Sequence, residues 1–445
     1  GLRYQTDPLQ AQASLEFRTQ DEALAGRLQD ASTAWTLQSG LEWTPGRAFD
    51  VRADGSYRIR RFTDAFRIQQ QRRGTETVLL QLESGLRPFN RAVDVRVFYD
   101  AATERTPTLQ EVFVRTGPEI GQFVWNDANG DGLQQVDEFV PETTPNEVEY
   151  VQSFVPSDSL ASVARIETRA QLRLDPGQHW RTADAGWKRW LARHTAETSV
   201  DVREENRTAT PSDVYLLNLS RFRVPGLTLD GQLQVEQTLR LFDDVSRYGL
   251  EATWQQARSL SDRSAGIERS FRNRWDLGGQ WRPAAAWSVQ ASVATETDRT
   301  TSEAFDSRRF DIASREGRLS LSHQLTPHLQ LAATGSFARK RDTGAEDPRT
   351  ADVLKIPLEA TWSRPGQFRF RANIERARIR LDGDAVGLAQ FELTDGRGPG
   401  TSWLWGVQGR YVINDFLQAT LSYDGRAPSG ASVIHTFRTQ LSASF

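Results

Sequence analysis

The stretch LKIPLEATWSRPGQFRFRANIE, running from Leu354 to Glu375, decides the fold. Leu354, Ile356, Leu358, Ala360 and Trp362 recur at every second position, with Lys355, Pro357, Glu359 and Thr361 between them. After the turn Ser363-Arg364-Pro365-Gly366-Gln367 the alternation resumes, with Phe368, Phe370, Ala372 and Ile374 set against Arg369, Arg371, Asn373 and Glu375. A period of two sends successive side chains to opposite faces of a strand, so each arm has one apolar and one charged face. Proline in the turn presets φ and removes no ladder donor. The stretch predicts a β-hairpin. The pattern alone leaves open which face is outside, since a soluble sandwich would bury the apolar one.

The same unit recurs along the chain. Trp275, Leu277, Gly279 and Trp281 lead through Arg282-Pro283 to Trp287, Val289, Ala291 and Val293. Leu319, Leu321 and Leu325 turn at Pro327 into Leu329, Leu331, Ala333 and Phe337, with His323 interrupting the first arm. Trp403, Trp405, Val407, Tyr411 and Ile413 turn at Asn414-Asp415-Phe416 into Leu417, Ala419, Leu421 and Tyr423. Near the start, Trp35, Leu37, Leu41 and Trp43 turn at Pro45 into Phe49, Val51, Ala53, Tyr57 and Ile59. Longer polar connections at 300–315, 341–352 and 381–401 alternate with these Pro turns. Trp43, Trp281, Trp287 and Trp362 all sit at short-turn ends. A sandwich gives no reason for aromatics to gather at one end, whereas a membrane interface does.

Composition agrees with strands rather than helices as the spanning element. The chain has 445 residues, 38% apolar and 25% charged, with a mean hydropathy of −0.57. No run approaches the roughly 20 apolar residues that a spanning helix needs. A β-barrel escapes that limit, because only alternate residues face lipid. The net charge of −3 gives no nucleic-acid footprint. Cysteine is absent, which removes disulfides, thiolate metal sites and cysteine catalysis. Methionine is absent too, so Gly1 is expected to follow a processed or missing segment that included any signal peptide. The only lysines are Lys188, Lys340 and Lys355, a bias that GC-rich coding explains.

The final segment places Val433, His435, Phe437, Thr439, Leu441, Ala443 and Phe445 on one face. A terminal aromatic closing such an alternation resembles the C-terminal signal of bacterial outer-membrane β-barrels. That resemblance implies an all-β, transmembrane, antiparallel up-and-down β-barrel over residues 1–445, with short periplasmic turns and longer extracellular loops in the outer membrane. Counting from both ends gives about 16–18 strands, an even number as single-chain bacterial barrels have. Pro45, Pro88, Pro176 and Pro225 are read as lying on the periplasmic side. The two counts collide between Phe242 and Ser270, and setting aside the segment Tyr248, Leu250, Ala252, Trp254 reconciles them. Residues 177–192, with Trp180, Trp187, Lys188 and Trp190, break the alternation and predict an interfacial helix or a long turn.

One motif carries chemistry. Within the longest connection, 101–159, Asp127, Asn129 and Asp131 take positions 1, 3 and 5 of an EF-hand loop, with Gly132 at the sharp turn. Leu133 would offer its carbonyl, Gln135 a water-mediated contact and Glu138 a bidentate carboxylate, an all-oxygen set suited to Ca²⁺. The alternative is an acidic, Gly-rich turn in solvent. The flanks Gln122-Phe123-Val124 and Phe139-Val140-Pro141 look extended, and Pro118, Pro141 and Pro145 oppose helices. A bound calcium is therefore expected as a structural staple of an extracellular loop rather than as a sensor. Residues Phe123 to Phe139 also resemble a loop of large outer-membrane proteins of Bacteroidota, which implies a barrel with an ordered extracellular portion and no defined substrate.

No catalytic constellation stands out. The five His (His179, His194, His323, His328 and His435) are scattered, and Gly-x-Ser-x-Gly, His-Glu-x-x-His and phosphate-cradling loops are missing, so no enzymatic role is expected. The inward rows are charged in both signs: Arg165, Glu167, Arg169, Gln171 and Arg173 in one strand, Arg52, Asp54, Arg58 and Arg60 in another. Such rows can line a solute path or simply brace a wet wall. No plug domain fits within this length. Three functions are consistent with the residues: a channel or transport component, a structural or assembly barrel with periplasmic or surface protein partners, and a soluble secreted β-sheet protein. Outer-membrane lipid is the partner expected under the first two.

Overall fold

The computed structural model describes residues 1–443 except 25–26, 70–73, 117–120, 128, 142–148, 208–210, 264–265, 345–346, 386 and 415. Phe445, Pro118, Pro145 and Asp415, which entered the sequence reading, lie outside the described residues. In chain order the strands begin β1 (Leu2–Thr6), β2 (Leu9–Leu24), β3 (Arg27–Gly46), β4 (Phe49–Phe62), β5 (Thr75–Leu86), β6 (Val93–Arg115), β7 (Phe123–Trp125) and β8 (Phe139–Pro141). They continue with β9 (Tyr150–Leu174), β10 (His194–Asn206), β11 (Thr228–Leu241), β12 (Tyr248–Arg263), β13 (Gly266–Trp281), β14 (Trp287–Ser302) and β15 (Phe310–Thr326). The last are β16 (Leu329–Asp342), β17 (Arg349–Arg364), β18 (Phe368–Asp382), β19 (Gly400–Asn414), β20 (Leu417–Ala427) and β21 (Ile434–Ala443). The helices are short: α1 (Asp64–Gln69), α2 (Pro88–Arg91), α3 (Gly177–Trp180), α4 (Gly186–Leu191), α5 (Pro211–Tyr215) and α6 (Gly387–Thr394). None is long and apolar enough to cross a membrane.

Among the described residues, all 21 strands belong to one sheet. β7 and β8 form a small hairpin inside the connection from β6 to β9, which leaves an up-and-down meander of 19 strands. Chain neighbours pair antiparallel. Trp362 faces Phe370 and Leu354 faces Arg378 in the hairpin that opened the sequence reading.

The strand count of about 16–18 is corrected to 19, and it is odd. Two segments make the difference. β1 precedes the first expected strand and pairs with β2 from Leu2–Ala13 to Thr6–Leu9. Tyr248–Arg263, which the sequence reading set aside, is a full strand of 16 residues. The collision arose at Pro225. It sits in the connection from β10 to β11, the one following the short Pro176 side, and therefore at the opposite end of the strands. Residues 177–192 fold as α3 and α4 with a turn between them.

The long connections are shorter than the composition suggested, because the strands continue past the apolar rows with charged residues that remain paired. Arg299 of β14, for example, donates to Asp311 of β15 at 2.9 Å. Residues 303–309, 343–348 and 383–399 are left outside the strands. The connection expected at 101–159 contracts in the same way to 116–149, since β6 runs to Arg115 and β9 starts at Tyr150.

The chain forms two compact units, described separately. The first comprises Gly1–Leu109, Pro156–Leu239 and Gln256–Ile267, and the second Gln110–Val155, Arg240–Gln255 and Glu268–Phe445. In the second unit the apolar face is the exposed one. Trp275 is 55% exposed, Leu277 55%, Val293 60%, Leu319 56% and Trp362 51%. Six aromatics of that face (Trp275, Trp281, Phe337, Trp362, Trp403 and Tyr411) are all 41–55% exposed. At about 200 Å² apiece they alone uncover on the order of 600 Å², the upper end of what a soluble monomer shows. The row from Leu354 to Trp362 runs about 26 Å along the strand, or about 20 Å after a typical barrel tilt.

In the first unit the lower part of the equivalent face is also open, with Leu15, Phe17, Trp35 and Leu37 exposed. Its upper part is covered by the chain itself. Val214 of α5 and Phe222 are buried against Tyr99, Ala101, Ala164, Ile166 and Val202. The Tyr99 hydroxyl donates to the Tyr215 carbonyl at 2.6 Å.

Candidate cation site and the polar wall

The connection 116–149 is built around the β7–β8 hairpin, in which Trp125 pairs with Phe139 and Phe123 with Pro141. The flanks are thus extended, as their residues suggested. Apolar rings fasten the hairpin to the neighbouring strands. Phe139 stacks on Phe113 of β6, with centroids 4.1 Å apart, and meets Tyr150 of β9 edge-on. Between the arms, Asp127 to Glu138 wraps into a tight loop. The Asp127 carboxylate accepts from the amides of Gly130 at 2.8 Å and Gly132 at 3.0 Å. Both glycines have φ of +72°, a conformation that favours residues without a Cβ.

Three of the six expected ligands converge. Asp127, Asp131 and Glu138 can bring one carboxylate oxygen each within 4.8 Å of the others. Asn129 and Gln135 reach the same cluster through Asp131, whose Oδ2 accepts from Asn129 Nδ2 at 3.1 Å and from Gln135 Nε2 at 2.8 Å. The Leu133 amide donates to Asp131 Oδ1 at 2.7 Å, while its side chain stays in solvent.

Glu138 is the informative member. It is only 4% exposed. Its Oε2 accepts from Trp125 Nε1 at 2.8 Å and from the Gln135 amide at 3.2 Å. Its buried Oε1 has no hydrogen-bond partner. An unpaired buried carboxylate oxygen is costly unless a cation meets it. The donor set is all oxygen, which suits a hard divalent ion.

The polar face of the second unit carries an ion network. Arg272 of β13 pairs with Asp298 and, at 3.3 Å, with Glu296 of β14; Arg274 reaches Glu296 at 2.8 Å and Glu316 at 3.8 Å; Arg318 reaches Glu316 at 2.8 Å. In the first unit the expected row is present, with Glu167 bridging Arg169 at 2.5 Å and Arg203 at 3.5 Å. Exposed pairs of this kind contribute about 0–1 kcal/mol each, so they set the charge pattern of the wall more than its stability. A more buried pair lies near the strand ends. Glu111 of β6, whose side chain is 1% exposed, meets Arg308 at 2.5 Å, and Arg308 also reaches Glu268 at 3.4 Å.

The sequence reading did not foresee α6. This helix lies on the polar face, where Ala389 and Leu393 pack with Phe310, Ile312 and Ala351. It ends at Thr394, followed by left-handed Asp395 (φ +53°) and Gly396 (φ +69°), and the Gly396 amide closes the end on the Phe391 carbonyl at 2.9 Å. That ending aims Asp395 at two of the three lysines, Lys340 of β16 and, at 2.6 Å, Lys355 of β17. Burial alone would raise the Asp395 carboxyl, but the two ammonium groups outweigh it and hold it below the ordinary aspartate range. Arg397 pairs with Glu375 of β18. A legible signal existed: Leu388-Ala389-Gln390-Phe391-Glu392-Leu393 abandons period two inside a connection otherwise rich in Gly and Asp.

The five His each sit against neighbours of their own. His323 stacks on Trp287 with centroids 3.9 Å apart, His435 is 3.0 Å from the Tyr423 hydroxyl, and His328 lies 3.1 Å from the Ser363 carbonyl. His194 meets Trp190 edge-on, and His179 sits in α3 beside Phe89.

No family model and no curated protein matches this sequence. Among solved structures, the chain is similar to the alcaligin outer-membrane receptor FauA of Bordetella pertussis at 11% identity and a TM-score of 0.44, covering 97% of this chain and 65% of that one. It is similar to OccK1 (OpdK) of Pseudomonas aeruginosa at 11% identity and a TM-score of 0.37, covering 98% and 96%. It is similar to the copper transporter OprC at 10% identity and a TM-score of 0.38, covering 98% and 76%. Likeness at this level transfers neither cargo nor mechanism to this chain.

Proposed function

We propose that this chain is the wall of a bacterial outer-membrane β-barrel that acts as a channel or transport component, with its connection 116–149 stapled by calcium. The observation that carries this reading is the inverted sheet. Its Trp and Leu rows are exposed while its other face is lined by arginine and carboxylate pairs. Only lipid makes that arrangement favourable: burying the apolar rows in acyl chains gains roughly 25 cal/mol per Å², and the charged face then encloses water. Trp43, Trp281, Trp287 and Trp362, exposed at the short-turn ends, suit the polar–apolar boundary.

Calcium is held in this reading by the carboxylates of Asp127, Asp131 and Glu138, the Asn129 side-chain oxygen, the Leu133 carbonyl and, through water, Gln135. The ion supplies charge neutralisation to the buried Glu138 and takes no part in chemistry. The resemblance of the loop to those of Bacteroidota outer-membrane proteins supports the same compartment.

The test is reconstitution. Purified protein should run heat-modifiably in unboiled SDS gels, its Trp emission should be quenched by brominated lipids, and planar bilayers should show discrete conductance steps. A chain that stays monodisperse without detergent would sink the lipid reading. Insertion without conductance, with stoichiometric co-purifying proteins, would shift the assignment to an assembly barrel.

A further inference from the structure

We propose that calcium in the Asp127–Glu138 loop holds α6 down on the polar face, so that the loop regulates how far this connection obstructs the wall. The inference rests on the cation reading above and adds to it a mechanical link.

The link is short. Glu138 is followed directly by Phe139, the first residue of β8, and α6 runs beside β8. Glu138 is buried with Oε1 unpartnered, so the loop as folded needs a positive charge at that atom. Without a cation, the carboxylate gains most by turning into water. Phe139 is bonded to it and stacked on Phe113, so this turn draws β8 away from its seat. The strand then leaves the flank of α6.

Two further sets of ties hold α6. Ala389 and Leu393 are buried with Phe310, Ile312 and Ala351. The others are ionic, from Asp395 to Lys340 and Lys355 and from Arg397 to Glu375. The apolar anchor keeps the helix attached when β8 leaves its flank, so the part set free is the ionic end, where Asp395 covers the two lysines and where salt weakens the pairs.

The lysine content supplies a clean readout. Lys340 and Lys355 are 15% and 25% exposed in their side chains and lie under the α6 connection, while Lys188 belongs to α4, outside this arrangement. The full chain in detergent micelles is treated briefly with an amine-reactive ester, with calcium or with a chelator, and each lysine is quantified by mass spectrometry. Terbium luminescence sensitised through Trp125 reports cation binding in parallel. Labelling of Lys340 and Lys355 should rise on the order of tenfold on chelation, as expected for loss of a local closed state, with Lys188 unchanged. Glu138→Gln should show the chelated pattern even with calcium, and the exposed ligand variant Asp131→Asn should give the same trend if Glu138→Gln folds poorly. Equal labelling with and without calcium, while terbium binds and calcium displaces it, overturns the link and leaves the cation site standing. Absence of terbium binding overturns the cation reading itself, and the link with it.

Discussion

The connection 207–227 between β10 and β11 and the connection 383–399 between β18 and β19 fold back onto opposite kinds of surface. The first lies on the apolar face of its unit. There Val214 and Phe222 bury against Ala101, Ile166 and Val202. Glu204, fully buried on the same face, accepts from the Thr228 hydroxyl at 2.5 Å, Asn206 Nδ2 at 3.0 Å and the Arg223 amide at 3.2 Å. The second lies on the polar face of its unit, where a small apolar heel is ringed by ion pairs. Each connection borrows the chemistry of the face it covers. An aliphatic segment can replace lipid on one side of the sheet, and a charged one can replace water on the other. The composition of a connection therefore indicates which solvent it excludes.

Substitutions that empty the apolar anchors should separate the two regions most strongly. Phe222→Ala is expected to cost about 3–5 kcal/mol and Leu393→Ala about 2–5 kcal/mol, because both side chains are buried and their neighbours cannot fully collapse. Phe337→Ala, half-exposed on the apolar face, should cost clearly less. Urea titration followed by gel mobility of the folded species would rank the three. Equal losses at Phe222 and Phe337 would mean that 207–227 adds nothing beyond what lipid or detergent supplies.

Next in size is Asp395→Asn. Losing the charge that two ammonium groups share should cost about 1–2 kcal/mol, confined to α6. Limited proteolysis should then cut within 383–399 and leave 207–227 intact. A third test uses acid. Since the Asp395 carboxyl is held below its ordinary value, its contribution is complete above about pH 4, the unfolded aspartate range, and is lost as pH falls through the depressed value. Pepsin cutting within 383–399 should therefore increase as the pH is taken progressively below 4. Cutting that is already complete at pH 4 would show that the lysine pairs do not control this segment. The smallest effect expected is from salt. Raising ionic strength should loosen 383–399 slightly, through Lys340 and Arg397, and leave the buried apolar anchors of 207–227, Val214 and Phe222, in place.

Much of the architecture was readable from period two. The arms around Pro365 pair in the register their alternation implies, with Ala360 opposite Ala372 and Leu358 opposite Ile374. The terminal segment pairs with β20, Leu441 against Ala419. Strand number was harder, because alternation says nothing about which end of the sheet a proline occupies. Pro225 looks like its short-turn counterparts, yet it lies in a connection holding α5, and that one assignment made Tyr248–Arg263 seem superfluous. The meeting of Asp127, Asp131 and Glu138 follows the spacing read in the sequence, since that spacing is local. The burial of Glu138 was not, because Trp125 and the Phe113–Phe139 stack that enclose it are set by tertiary pairing. The seat of α6 was equally invisible: Lys340, Lys355 and Asp395 meet only once two strands and a helix end are in place.

An odd meander has a directional consequence. In a sheet of 19 alternating strands, the first and the last point the same way.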